Sequence, residues 1–304
     1  MMRSRLKRKL IVTLAIPAIG LSASAALAAG DSYDKTAPRA TSDKPPATAS
    51  AKPGSQQNAA NDMRASELIG MKVHNAQGED LGEVKDLIVD TNNERVHYAV
   101  LAFGGTAGLG AKHFAFPVSL FTPDPDGKTL TLKVDKAKLK RAPGFASDHW
   151  PDWNSDTYQA ELDRELKRFG AKAQPQAPSA HLARASELIG KSVKDRDGKK
   201  VGEIQDLVVD LHKGRVHYAV LDFDKAWSTE DKVLPMSFKS FHMVPIERHK
   251  DLVLNKTREQ LDLSRGFAKS DWPDINDPAY QRDIDAYLAQ KPGVGGEPGP
   301  VMNK

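Results

Sequence analysis

The sequence predicts a mainly β protein of two tandem small β-barrels, each followed by a C-terminal α-helix. Three observations carry this prediction. The chain repeats itself: "RASELIG" occurs at Arg64–Gly70 and Arg184–Gly190, "RVHYAVL" at Arg95–Leu101 and Arg215–Leu221, and the "GF…WPD" blocks start at Gly144 and Gly266. The repeat is about the length of a small domain and too long for a solenoid unit. Short segments rich in β-branched residues, parted by Gly/Asp turns, fill each copy. Each copy then ends in an apolar stripe at helical spacing.

In chain order, Arg3, Arg5, Lys7, Arg8 and Lys9 precede an apolar run, Leu10–Ala28, that closes on Ala26-Leu27-Ala28. A basic start, an apolar stretch and an A-x-A site predict a secretory signal peptide over residues 1–28 and a periplasmic protein. The alternative is an inner-membrane anchor made by an uncleaved signal; if the signal is cleaved, the mature chain keeps no transmembrane helix. Residues 29–62 are Ala, Pro, Ser, Thr, Lys, Gln and Asp with almost no large apolar side chains, and read as a disordered linker. Domain one spans 63–170, a second linker 171–182, domain two 183–289 and a flexible Gly/Pro-rich tail 290–304.

Within the copies, Met71–Val73 and Lys191–Val193 read as first strands, followed by Asx/Gly turns. "GEVKDLIVD" (Gly82–Asp90) and "GEIQDLVVD" (Gly202–Asp210) read as second strands. Val96, Tyr98 and Val100, matched by Val216, Tyr218 and Val220, alternate onto one face of a third. His113–Phe121 and Val233–Phe241 each carry a Pro suited to an edge strand. Thr129–Val134 alternates cleanly, with Leu252–Leu254 as its counterpart. Tyr158, Leu162, Leu166 and Phe169 form the first helical stripe; Tyr280, Ile284, Tyr287 and Leu288 form the second. Trp150 and Trp272, just before these helices, are expected to seal one end of each barrel.

The absence of Cys excludes disulfides, thiol catalysis, Cys-based metal sites and a lipobox anchor. Five Lys/Arg and no Asp/Glu lie in residues 1–28, so the formal charge of +4 falls to about −1 beyond them. A near-neutral chain gives no electrostatic case for nucleic acid.

The motifs "ELIGMKV…LGEVKDLIVD" (Glu67–Asp90), "RVHYAVLAFGG…LGAKHFAFP" (Arg95–Pro117) and "GFASDHWPD" (Gly144–Asp152) resemble the PRC-barrel family, named for the cytoplasmic domain of the photosynthetic reaction-centre H subunit. The second copy keeps the first and last features and replaces the Gly-rich loop. The resemblance implies an all-β barrel of about six strands per copy and an adaptor role. In the reaction centre such a domain packs on membrane partners and assists proton delivery; in a ribosome-maturation factor it binds a ribosomal protein. This chain departs from both in its export signal and domain context.

Candidate sites follow from the repeat. Arg95/His97 and Arg215/His217 occupy matched positions two residues apart on one strand face, read as a polar face packed on or beside the other elements; the functional alternatives are an interaction surface or a shared metal site, although two His without a third ligand are a poor cage. Gly105 and Gly108, in the loop Gly104–Lys112, mark a specialisation of copy one. That loop lacks the Gly-Lys-Ser/Thr ending of a phosphate cradle. Asp86/Asp90 and Asp206/Asp210 are repeated carboxylate pairs. Four residues of strand separate them by about 13 Å, beyond the roughly 5–9.5 Å of acid–base hydrolysis, and turn bonding is the expected role of Asp90 and Asp210. Ser66 and Ser186 read as caps or turns at the start of each barrel. No catalytic constellation, cofactor or metal site is expected. The sequence therefore predicts a non-enzymatic exported adaptor that binds a protein partner at the bacterial envelope, close to the membrane. Its alternatives are a small-ligand or ion-binding periplasmic protein and an accessory to a membrane electron- or proton-transfer complex.

Overall fold

The computed structural model describes residues 62–104, 110–172, 181–224, 232–246, 249–262, 264 and 266–289. The expected signal peptide, residues 29–61 of the first linker, residues 173–180 of the second, the tail and the candidates Gly105 and Gly108 lie outside the described residues. Both copies belong to one compact unit, Pro53–Lys304.

Copy one contributes β1 (Asp62–Arg64), α1 (Ala65–Leu68), β2 (Lys72–His74), β3 (Asp80–Asp90), β4 (Val96–Phe103), β5 (Lys112–Pro117), β6 (Phe121–Pro123), β7 (Thr129–Leu132), α2 (Lys136–Arg141), β8 (Phe145–Ala146) and α3 (Asp156–Arg168). Copy two repeats the order as β9 (Leu182–Arg184), α4 (Ala185–Leu188), β10 (Ser192–Lys194), β11 (Lys200–Asp210), β12 (Arg215–Phe223), β13 (Lys232–Met236), β14 (Phe241–Ile246), β15 (His249–Leu254), α5 (Arg258–Asp262), β16 (Phe267–Ala268) and α6 (Pro278–Ala289).

The strands form two eight-stranded sheets, ordered β6-β7-β2-β3-β4-β5-β8 and β14-β15-β10-β11-β12-β13-β16, each with one further strand. That extra strand comes from the other copy. β1 pairs antiparallel with β11, Asp62 opposite Asp210, and β9 pairs antiparallel with β3, Leu182 opposite Asp90. Asp62, expected at the end of the tether, is thus a buried sheet residue.

Neither sheet closes into a barrel: among the described residues no pairing joins the two ends of either path. The edge strands β6, β8 and β16 have only two or three residues, too few ladder bonds to close a ring. A helix covers the outer apolar face instead. In copy two, Ile284 of α6 packs with Val208, Tyr218, Val220 and Val233. In copy one, Trp153 stacks on Tyr98 at a centroid distance of 6.4 Å and meets Tyr158 of α3 edge-on at 5.4 Å. This explains a departure from the expected alternation: β4 is buried along its whole length, because both of its faces are covered.

β3 and β4 approach closely at Gly82, where a Cβ would stand 1.9 Å from the Ala102 carbonyl oxygen; Gly202 sits 2.1 Å from that of Asp222 in the same sense. Only Gly fits there. Among the described residues, Glu94 is the one non-glycine with a left-handed φ, +63°. Its counterpart in copy two is Gly214.

Candidate functional site

The repeated polar residues converge on the junction between the copies. Each short "ASEL" helix docks on the other copy, and the docking is chemically specific. Asp206 of β11 accepts the Ser66 backbone N–H at 3.1 Å and the Ser66 hydroxyl; Asp86 of β3 accepts the Ser186 backbone N–H at 3.1 Å and the Ser186 hydroxyl. Each Asp also accepts the following residue's N–H, Leu207 or Leu87, at 2.8 Å. The serines are therefore not caps for their own helices. They are gripped by a carboxylate from across the junction, which takes a first-turn N–H that no helical carbonyl can reach. Burial pushes the Asp86 and Asp206 carboxyls up, against the opposing pull of the serine hydrogen bonds.

Around this grip lie further matched contacts. The Asn276 side-chain amide clamps the backbone of Asp62, accepting its N–H and donating to its carbonyl, both at 3.0 Å. Asn154 does the same to Leu182, at 2.9 and 3.3 Å. The Arg64 guanidinium lies 4.7 Å from the centroid of the Trp272 ring, and that of Arg184 lies 4.7 Å from the Trp150 ring. The two tryptophans, expected as end plugs, each hold an arginine of the other copy while packing on Phe145 or Phe267. At the centre, the Val96 N–H donates to the Gly214 carbonyl at 3.0 Å and the Val216 N–H to that of Glu94 at 2.7 Å.

The two Arg–His pairs lie at this junction, the histidines packed within it. Arg95 and Arg215 bridge each other at the central crossing, Arg95 exposed and Arg215 half-buried. His97 is fully buried and His217 is 8% exposed. The cause is a β-bulge in each copy. Ile88 pairs with Tyr98 and Val89 with Val96, leaving His97 as the extra residue; Val208 pairs with Tyr218 and Val209 with Val216, leaving His217 extra. One inserted residue breaks the two-residue period and re-aims the side chain.

Among the described residues only His217 has hydrogen-bonded ring nitrogens. His217 lies between two carboxylates, Nδ1 2.6 Å from Asp62 Oδ2 and Nε2 2.8 Å from Asp285 Oδ1. Burial pulls its pKa down, but the two carboxylates outweigh it and the net shift is upward. His97 has Leu182 where His217 has Asp62. Neither of its ring nitrogens makes a hydrogen bond among the described residues; Asp90 Oδ2, 3.8 Å from Nε2, is beyond bonding distance. Burial dominates and lowers the His97 pKa.

Asp90 and Asp210 hold their turns as expected, accepting the N–H of Asn92 and of Lys213, each at 2.9 Å. No three His, Asp or Glu side chains gather as a metal cage among the described residues, and no described helix is long and apolar enough to cross a membrane. At the rim of the junction lies a cavity of about 510 Å³, lined by Arg64, Glu67, Asp124, Trp272 and Asp274 among others.

A comparison with curated proteins finds no match. The PRC-barrel domain family matches twice, at residues 60–139 and 181–259, together more than half of the chain. Each match begins at the strand that docks on the opposite copy, so the exchanged arm is part of the family's own unit. The chain belongs to the PRC-barrel family and carries two of its domains in tandem.

Proposed function

We propose that this protein is an exported, non-enzymatic adaptor whose paired PRC-barrel domains bind a protein partner at the bacterial envelope. The observation that carries the reading is the reciprocal docking of the arms. The repeated polar residues most suggestive of chemistry, Ser66/Asp206, Ser186/Asp86 and His217 with Asp62 and Asp285, are spent on holding the copies together. What they build is one body with two related surfaces, suited to a repeated or dimeric partner by avidity. The sequence features of residues 1–62 support placement at the envelope.

The test is affinity capture from intact periplasm and membranes, with mild crosslinking and a tag at Lys304. One dominant envelope protein is the expected result. Repeated capture of no specific protein by a folded bait overturns the reading.

A second reading, a small-ligand protein, is favoured by the cavity, whose aromatic wall already holds a guanidinium and whose rim offers Glu67, Asp124 and Asp274. A cationic ligand is the matching class. Such a ligand raises the melting temperature of the wild type and not of Trp272→Ala.

A further inference from the structure

The first copy carries a cationic ridge that the second lacks. Across residues 133–141, from the end of β7 through α2, five side chains are basic (Lys133, Lys136, Lys138, Lys140 and Arg141) and one, Asp135, is acidic. Asp135 is occupied as the cap of α2, accepting the Lys138 N–H at 2.8 Å. Val134 and Leu139 turn inward, while Lys133, Lys138, Lys140 and Arg141 are exposed and Lys136 is half-exposed. None of the five makes an ion pair with a described carboxylate. The Lys112 ammonium adds a sixth charge at the end of the helix, donating to the Ala142 carbonyl at 3.1 Å.

Copy two supplies the control. Lys232 donates to the Asp262 carbonyl at 2.9 Å and to that of Ser264 at 3.4 Å, so the helix end is held by the same device. The charge is not retained: Lys256 and Arg258 are offset by Glu259 and Asp262, both exposed. One scaffold thus carries unbalanced positive charge in copy one and mixed charge in copy two.

We propose that the α2 ridge of the first copy docks on an anionic phospholipid surface. The ridge offers no exposed aromatic or large apolar side chain among its cations, the anchors a protein interface needs at its centre. A dense, unanchored patch of Lys and Arg matches the diffuse negative charge of a headgroup layer, each cation near such a surface adding to the attraction. The reading of residues 3–28 as an export signal or anchor, on which this choice of occupant rests, places the chain at a membrane. The inference does not depend on the adaptor reading, because the binding needs no protein partner.

The experiment is co-sedimentation of the chain freed of its expected signal peptide, residues 29–304, with phosphatidylcholine vesicles with and without phosphatidylglycerol, each variant first shown to be folded by its melting temperature. The wild type is expected to sediment only with the anionic vesicles and to be released by salt. K136E/K138E/K140E is expected to lose at least about tenfold in partitioning. Adding E259K/D262K to that variant restores part of the binding through copy two. Equal sedimentation of wild type and the triple variant, or no sedimentation with anionic vesicles at low salt, overturns the proposal. So does capture of an acidic protein through the same lysines without vesicle binding.

Discussion

The two copies share a bulged histidine but differ in what surrounds it. In copy two the exchanged strand brings Asp62 to His217, α6 brings Asp285, and the imidazole lies between the two carboxylates. In copy one the exchanged strand brings Leu182, and His97 is buried with neither nitrogen hydrogen-bonded among the described residues. The same backbone therefore holds a histidine whose pKa is raised by two carboxylates in one place and one whose pKa is lowered by burial in the other. The bulge comes with the fold; the work done by the side chain comes from a single position on a strand contributed by the opposite copy.

The largest effect that breaks this symmetry comes from replacing the two histidines with leucine. His217→Leu leaves Asp62, itself 1% exposed, without its charge partner and is expected to cost about 3–5 kcal/mol in denaturant unfolding. His97→Leu removes an unsatisfied buried group and is expected to cost nothing or to stabilise. Equal losses at both positions would mean that the strand-borne Asp62 is irrelevant.

Titration sharpens the same contrast with opposite signs. The native pKa of His97 lies below its ordinary value of 6.5, so the unfolded chain takes up the proton first and stability is lost as the pH falls below about 6.5. The native pKa of His217 lies above that value, so its contribution is complete in acid and is lost as the pH rises through the native pKa. Melting temperature against pH is expected to show the His97→Leu advantage widening in acid and the His217→Leu penalty shrinking in alkali.

Next in size are the carboxylates that grip the arms. Asp86→Ala and Asp206→Ala each remove charge-assisted bonds to a serine of the other copy, and each is expected to cost about 2–3 kcal/mol, near-equal because the two grips match. A marked inequality in chemical denaturation would show that one arm holds the junction alone. The smallest effect is at the rim: Arg64→Ala and Arg184→Ala lose a cation–π contact worth about 0.5–1 kcal/mol, read as a shift of a few degrees or less in melting temperature.

Much of the frame was legible in the sequence. The repeated blocks gave the number of copies, and the runs ending at Asp90 and Asp210 gave the two long strands to within a couple of residues. The exchange of arms was not legible, because period-two patterning reports which face of a strand is buried and not which sheet receives it. Ser66 with Asp206 and Ser186 with Asp86 were visible as repeats, but partners separated by 140 and 100 residues leave no local signal. The burial of the histidines has a different cause. Simple alternation sets Arg95 and His97 side by side, and one bulged residue undoes it. The helices α1, α2, α4 and α5, of four to six residues, are too short for an apolar stripe to announce them.

The crossed arms also change what dilution and mutation can do. An assembly of two separate one-domain chains falls apart when its concentration drops below its dissociation constant, and must carry every substitution on both sides of its axis. Here the halves share one backbone, so their stoichiometry is fixed at any concentration. Each side is free to acquire a residue the other lacks: Asp62 without a second Asp at Leu182, a lysine ridge without its twin, a strained Glu94 opposite a relaxed Gly214. A pair of domains joined in this way keeps the geometry of a symmetrical dimer while the duties of its two halves diverge.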